Sequence, residues 1–416
     1  MKQVAVIGGG ASGFAAAITI AEKSKDFTVS VYEKLQKPLK KLLATGNGRC
    51  NLTNEHAEPT AYFGDRDFAA AALSRFSPRE NIAFFREMGL LCKTEAMGRV
   101  YPVSGQASSV REILCAEAQK RGVQVIPDCE ITAIQPQNGG FLLNGKIACD
   151  IVLICAGGSA APKHGTDGGA YRLLGALGHT ILPPAPALTA LECADFPKSL
   201  KGVRQVCDVT LLQDRKPIYE ITGEVQFTEY GLSGIPIMQL SRLVSTAPNE
   251  KFAVKLNCLS GLQPPEITAF LQDAAAKNPE KSAETLAQGV LPQALGNALL
   301  WRCGIRKDEP CGSLSKSRLA RFSEEITAFT VEVTGVRGFD FAQVTAGGAD
   351  CREFDRETMQ SKRIKNLYAC GEALNVDGGC GGYNLQWAWS SGRAAGEAVV
   401  KEFSSDTHTR LSLIHI

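Results

Sequence analysis

Short apolar runs alternate with glycine clusters at both ends of this chain. Val4-Ala5-Val6-Ile7 leads into Gly8-Gly9-Gly10-Ala11-Ser12-Gly13, followed by an Ala-rich apolar stretch and the run Val29-Ser30-Val31-Tyr32. A continuous apolar run that stops at glycine marks a buried parallel strand, so residues 4–34 predict strand, glycine turn, helix, strand. Residues 151–155, ending in Ala156-Gly157-Gly158, predict a second buried strand. Between them, residues 40–54 are polar and glycine-containing and predict a loop after a short helix. Ser77-Pro78-Arg79-Glu80 predicts a helix start with Ser as N-cap and Pro at N1. Ser109-Val110-Arg111-Glu112 repeats that spacing before a helix that stops at Gly122. Residues 123–126 and 131–134 predict strands, and 141–148, with Asn144-Gly145 at the centre, predict a hairpin.

The pattern changes after Pro183-Pro184-Ala185-Pro186. Residues 206–212 and 224–228 alternate, which makes 188–260 a β-rich unit. Pro264-Pro265 then opens helical periodicity over 266–276, 283–288, 293–301 and 316–329, within a helical unit of 261–335. Strand and glycine-turn patterns return from about Thr334. The expected architecture is α/β: a nucleotide-binding domain of 1–187 and 336–416, interrupted by a two-part insertion. A last helical pattern ends near Phe403. Residues 404–416 carry no cap, periodicity or motif, and 411–416 have the look of sequence foreign to the natural protein.

Composition narrows the function classes. Lys plus Arg number 45 against 43 Asp plus Glu, a balance with no broad attraction for nucleic acid or an anionic membrane. Fourteen cysteines are dispersed without a C-x-x-C pair, and the first strand begins too close to Met1 to leave room for a signal peptide. Reduced thiols in a cytoplasm are therefore expected. The apolar run after Gly13 is too short to span a membrane. Five histidines show no metal-ligand spacing, no Gly-x-Ser-x-Gly elbow occurs, and no metal site is expected.

Gly8-x-Gly10-x-x-Gly13 lies between strand and helix, where a dinucleotide fingerprint belongs. Gly8 permits the tight turn, Gly10 admits a pyrophosphate, and Gly13 lets helix and strand pack closely. The helix start offers free N–H groups to phosphate. Glu33, twenty residues on, ends the second strand and suits ribose hydroxyls; otherwise it is a solvated carboxylate. Gly8, Gly9, Gly10, Ala11, Ser12, Gly13, Glu33 and Lys34 are the expected contacts. At the other end, Leu367-Tyr368-Ala369-Cys370-Gly371-Glu372 has the form of a strand ending in Gly-acid, which in FAD enzymes reaches the ribityl chain. A loop from Asp377 through Gly382, Tyr383 and Asn384 then opens a helix at Leu385, whose dipole would favour a reduced flavin by about 0.3–1 kcal/mol. A site closed from both termini points to FAD. No second fingerprint exists for a resident NAD(P)H domain, so a reduced nicotinamide would bind only transiently.

Three longer segments resemble the signatures of the BaiN-like, or aminoacetone-oxidase-family, group of bacterial flavoproteins. They are Gly46-Asn47-Gly48-Arg49-Cys50-Asn51-Leu52-Thr53-Asn54, Thr345-Ala346-Gly347-Gly348, and Gly381-Gly382-Tyr383-Asn384-Leu385-Gln386-Trp387-Ala388-Trp389-Ser390-Ser391-Gly392. The resemblance extends to about residue 403. It implies a glutathione-reductase-type FAD domain with an inserted β-barrel and helical subdomain, and roles in reducing unsaturated steroid-like compounds or oxidising amines. The expected function is FAD-dependent hydride transfer to or from a small organic molecule. The alternatives are a tRNA-modifying flavoprotein and a non-catalytic flavin-binding protein.

Within the first of these segments, Asn47 and Gly48 stand beside Arg49, a forked donor suited to phosphate, and Cys50 and Asn51 are expected near the flavin. Cys50 is either redox-active or a small packed residue; the sequence leaves its distance from Cys380 open. Tyr101 and Tyr383 are candidate proton donors, or structural aromatics. Ala156 and Gly157 are expected at the cofactor through their backbone, and Ile131, after Glu130, at the adenine. Lys40 and Lys41 steady the pyrophosphate or are solvated. His164 and Asp167 lie near the ring or cap the following helix.

Overall fold

The computed structural model describes the backbone of residues 1–412 and the side chains of residues 1–403. The reading of 411–416 as foreign falls mainly outside them. The chain forms two compact units: Met1–Ala185 with the chain from Gln343 onward, and Pro186–Ala342.

The first unit is built on a parallel five-stranded sheet ordered Leu367–Ala369, Ile151–Ile154, Lys2–Ile7, Phe27–Tyr32, Gln124–Ile126. Its central strands are apolar on both faces because both faces are covered, and Val6, Val152, Leu153 and Ile154 have no exposure. The opening helix Ala11–Lys23 buries Phe14, Ala15, Ala16, Ala17 and Ile18 completely. Against it lies the closing helix, Tyr383–Ser412. A Cβ on Gly392 would stand 2.3 Å from the Ser12 carbonyl oxygen, and one on Gly396 2.9 Å from that of Ala16. Here the two ends of the chain touch backbone to backbone.

The Asn144-Gly145 hairpin forms, with φ of 49° and 68° at the two residues. The strand expected at 131–134 begins only at Ile134. Upstream, the Asn144 carboxamide takes the place of a strand partner: it accepts from Thr132 and Ala133 N–H and donates to the Glu130 carbonyl. The helix expected at Ser109 starts earlier, at Ala107, with Gln106 at the N-cap. At Ser77 the cap is placed as expected, but the hydroxyl turns to the Glu80 carboxylate rather than to backbone N–H.

A buried polar network braces the segment that feeds the strand Leu367–Ala369. His179 Nδ1 lies 2.8 Å from Glu353 Oε2 and Nε2 lies 3.0 Å from Ser361 Oγ. Glu353 also accepts from Thr180 and Arg363. Burial lowers the His179 pKa, against the pull of Glu353. Burial raises that of Glu353, but the hydrogen bonds from Thr180, His179 and Arg363 outweigh it and hold the carboxyl at about 2. Both groups thus bind protons more readily in the unfolded chain. Their contribution is complete above pH 6.5, the ordinary histidine value; as pH falls, the His179 part is lost first and the Glu353 part towards pH 2. The melting temperature should fall from pH 7 to pH 3, and His179→Gln should flatten the upper part of that slope.

The second unit is a closed antiparallel barrel of six strands, ordered Leu191–Cys193, Gly231–Ser233, Lys216–Phe227, Arg204–Gln213, Phe252–Asn257 and Phe329–Val336. Helices Pro264–Lys277, Ala283–Gln288, Gln293–Arg302 and Lys316–Thr327 come between its last two strands in sequence. The fourth helix ends before Phe329, because that residue opens the closing barrel strand. Barrel and helices share one core that includes Leu211, Val254, Leu271, Leu299 and Phe322. The helix Ile235–Ser245 was not legible within the β-rich segment.

Candidate active site

A cleft in the first unit lies beyond the C-terminal ends of the parallel strands, where open α/β sheets bind ligands. It has about 1280 Å³ of atom-free space, open solvent included. Its floor is the glycine turn, and each glycine has a distinct reason to be there. Gly8 has φ 106°, and a Cβ on it would meet the Cys155 carbonyl oxygen at 2.6 Å. A Cβ on Gly13 would stand 2.1 Å from the Gly8 carbonyl oxygen, so helix and strand close up only without one. A Cβ on Gly10 would find its nearest neighbour at 3.9 Å. The protein itself does not require glycine at position 10. The space in front of it is left for something else, and the opening helix has no side-chain cap over its N–H groups there.

Glu33 is buried beside this floor. One carboxylate oxygen accepts from Gly9 N–H and the other from Leu35 N–H, both at 2.8 Å. Each oxygen keeps a second acceptor site, as a ribose diol would need. Tyr32, Lys34, Cys129, Glu130 and Ile131 line the same end. Lys34 pairs with Asp167 at 2.9 Å. Asp167 therefore sits with the Glu33 end of the cleft, and it also accepts from Gly169 N–H at a helix start.

Towards the closing helix the wall is made by Thr45, Val376, Asn384, Leu385, Trp387 and Ala388. Trp387 Nε1 donates to the Gly371 carbonyl at 3.0 Å, and Gly371 N–H donates to Ser391 Oγ at 2.9 Å, which fixes the Gly-acid turn onto the helix. Glu372 lines the cleft, paired with Lys41 at 2.9 Å and accepting from Thr345 N–H at 2.9 Å. The Asn384 carboxamide closes the preceding loop by accepting from Gly378 N–H and donating to its carbonyl, both at 2.8 Å.

Of the residues expected from sequence, Gly8, Gly9, Gly10, Ala11, Ser12, Glu33, Lys34, Ile131, Ala156, Gly157, Glu372, Asn384 and Leu385 line the cleft. Gly13 and Gly371 serve it from behind. Asn47, Gly48, Arg49, Cys50, Asn51, Gly382 and Tyr383 do not line it. The Arg49 guanidinium, expected on phosphate, instead pairs with Glu95 at 2.6 Å and lies 4.1 Å from the Tyr101 ring centroid. Asp377, expected in a loop, is buried in a short strand, Val376–Gly378, paired with Tyr62–Gly64. The two sequence-distant glycine segments do meet. Asn54 donates to the Gly381 carbonyl at 2.8 Å, Trp389 Nε1 donates to that of Leu52 at 2.9 Å, and a Cβ on Gly382 would meet the Thr53 carbonyl oxygen at 2.4 Å. Tyr383 packs edge-on to Tyr62, and burial raises its pKa.

Cys50 has no exposure, and burial pushes its thiol up to about 12. A neutral thiol is a poor nucleophile. All fourteen cysteines are free. Cys50→Ser should leave flavin reduction within about threefold of wild type; a loss of a thousandfold or more, about 4 kcal/mol of barrier, would make the thiol a participant.

Sequence reasoning missed Thr45, Thr166, Gln343, Val376 and Trp387 in the lining. It also missed Thr345 as the residue whose hydroxyl accepts from Ser159 and Ala160 N–H and whose own N–H holds Glu372. The signal for Thr345 was its place ahead of Gly347-Gly348. Among the described residues no group of three His, Cys, Asp or Glu is arranged to hold a metal, and no helix is long and apolar enough to cross a membrane.

A family model described as the HI0933-like protein Rossmann domain matches residues 2–398. The chain is 37% identical over 411 residues to a 3-dehydro-bile acid delta(4,6)-reductase of Clostridium scindens, covering 96% of this chain and 100% of that protein. It is 28% identical to the ribosomal RNA dihydrouridine synthase of Haemophilus influenzae, with 95% and 98% covered. Among solved structures, a 3-ketosteroid delta1-dehydrogenase from Sterolibacterium denitrificans shares the fold, with a TM-score of 0.50 at 12% identity and 97% and 100% of the two chains covered. With its glycine floor and its cleft closed by both ends of the sequence, the chain belongs to the HI0933-like Rossmann family of FAD-dependent oxidoreductases.

Proposed function

We propose that the chain reduces a carbon–carbon double bond conjugated with a carbonyl group in a small organic molecule, with NADH or NADPH as the source of the electrons. Full-length similarity to a bile-acid delta(4,6)-reductase is the observation that carries this reading. The ribosomal RNA relative of Haemophilus influenzae, named as a dihydrouridine synthase, supports the same bond type. A 4,6-diene beside a 3-oxo group and the C5=C6 bond of uracil are both electron-poor alkenes. Bound FAD supplies the hydride chemistry.

In this reading the chain's own residues bind and orient the cofactor. The N–H groups of Gly10, Ala11 and Ser12 take the diphosphate, Glu33 the adenosine ribose, and Glu372, held by Lys41 and Thr345, the ribityl hydroxyls. The N-terminus of the closing helix, at Asn384 and Leu385, faces the ring edge where reduction places negative charge. Ile131, Ala156 and Gly157 contribute backbone contacts. A tRNA-modifying role has weaker support, because the nucleic-acid relative is named for ribosomal RNA.

Stopped-flow absorbance of the purified yellow protein tests the proposal. NADH or NADPH should bleach the flavin rapidly, and a steroid 4,6-dienone should restore it. Bleaching without reoxidation by any enone, together with dihydrouridine formed in ribosomal RNA, would move the substrate to RNA. Failure of both nicotinamides to bleach the flavin would remove them as reductants.

A further inference from the structure

His164 lines the cleft that carries the glycine floor, on the turn Pro162–His164 that follows Ala156-Gly157. Its Nδ1 is closed off from solvent and has no hydrogen-bond partner. Nε2 is not closed off in this way, and it is the ring nitrogen open to a ligand in the cleft. The charged groups around the ring are unbalanced: Lys163 adjoins it on the same turn, and Lys40 and Lys41 reach it from the helix Lys40–Ala44. Three of the four cleft carboxylates are already engaged, and the fourth, Glu130, is exposed. Glu372 holds Lys41, Asp167 holds Lys34, and Glu33 accepts from backbone N–H.

We propose that His164 is a diphosphate-binding residue, acting with Lys40 and Lys41, and that it takes up a proton when the cofactor binds. The inference rests on the reading that FAD occupies this cleft. Burial first, then Lys163, Lys40 and Lys41, lower the His164 pKa from its ordinary 6.5, so the ring is neutral at pH 7 in the free protein. A diphosphate brings two negative charges against it and favours the charged form. Binding then consumes up to one proton, and affinity rises as pH falls between the pKa of the free protein and that of the complex. The phosphodiester groups hold their charge across that window.

The test is the dissociation constant of FAD for the full chain, from flavin fluorescence between pH 8 and pH 5.5. Wild type should bind roughly tenfold more tightly at the lower pH, the limit for one proton per pH unit being tenfold. His164→Gln should keep its pH 8 affinity at every pH, and His164→Lys should bind tightly with little pH dependence. A flat wild-type profile, or a His164→Gln variant that keeps the slope, would overturn the assignment while leaving the cofactor reading intact. If the folded chain takes up no FAD at any pH, the cofactor reading itself fails, and His164 with it.

Discussion

Gly10→Val should yield a folded protein without flavin. Gly10 has φ −91° and ψ −171°, an extended conformation open to any residue, so valine adds no backbone strain. A Cβ there would have only the Cys155 carbonyl oxygen near it, at 3.9 Å, and the branched methyls would project into the cleft. Loss of the helix-capping preference for glycine costs about 1 kcal/mol, tolerable for a chain of this size. The loss of cofactor should be far larger. The methyl groups would occupy the space that a pyrophosphate needs to reach the helix N–H groups, and a thousandfold weaker FAD affinity corresponds to about 4 kcal/mol. The expected result is a near-zero ratio of flavin to protein absorbance, with a melting temperature close to that of wild type stripped of FAD. Comparison with the stripped protein matters because a bound ligand itself raises the melting temperature. Gly13→Val should behave oppositely in stability, since its Cβ would meet the Gly8 carbonyl oxygen at 2.1 Å. Normal flavin content in Gly10→Val would show that the cofactor lies elsewhere.

The parts of this molecule legible in its sequence are those set by local rules. Val4-Ala5-Val6-Ile7 and the apolar run ending at Ile154 could only be buried on both sides, and they pair directly as central strands. Gly8, at a positive φ, and Gly13, at a close helix–strand approach, are required by the fold itself, as their spacing demands. Four helices of the inserted unit began within two residues of their expected starts. What escaped was set by tertiary partners. Residues 131–133 have strand-like composition, but Asn144 offers their backbone a nearer partner than any strand does. Arg49 looked like a phosphate ligand, and nothing local revealed that Glu95 and Tyr101 would claim it. Val376 lines the cleft from a short strand paired with Tyr62–Gly64, a partner far away in sequence.

Gly392→Val should cost the protein both stability and flavin. Valine at an exposed helix interior is a better helix former than glycine, by a few tenths of a kcal/mol, so local propensity predicts a gain. The packing predicts the reverse. A Cβ at Gly392 would stand 2.3 Å from the Ser12 carbonyl oxygen and 3.1 Å from the Ala15 Cβ, both on the opening helix, where neither backbone nor Cβ can rotate away. The helices must separate, and Ala15 and Ala16, now fully buried, would lose their contacts with the closing helix. Overpacking of this severity costs about 3 kcal/mol, which outweighs the propensity gain. Ser12 lines the cleft, so separation at this point also misplaces the N–H groups that would receive phosphate. Gly396→Ala, whose Cβ would stand 2.9 Å from the Ala16 carbonyl oxygen, should show a smaller version of the same effect. Melting curves of the flavin-free variants separate this mechanism from that of Gly10: Gly392→Val should melt well below stripped wild type, whereas Gly10→Val should not. If Gly392→Val melts with wild type and stays yellow, the helices have room to move apart, and their close approach is not what holds the two ends of the chain around the cleft.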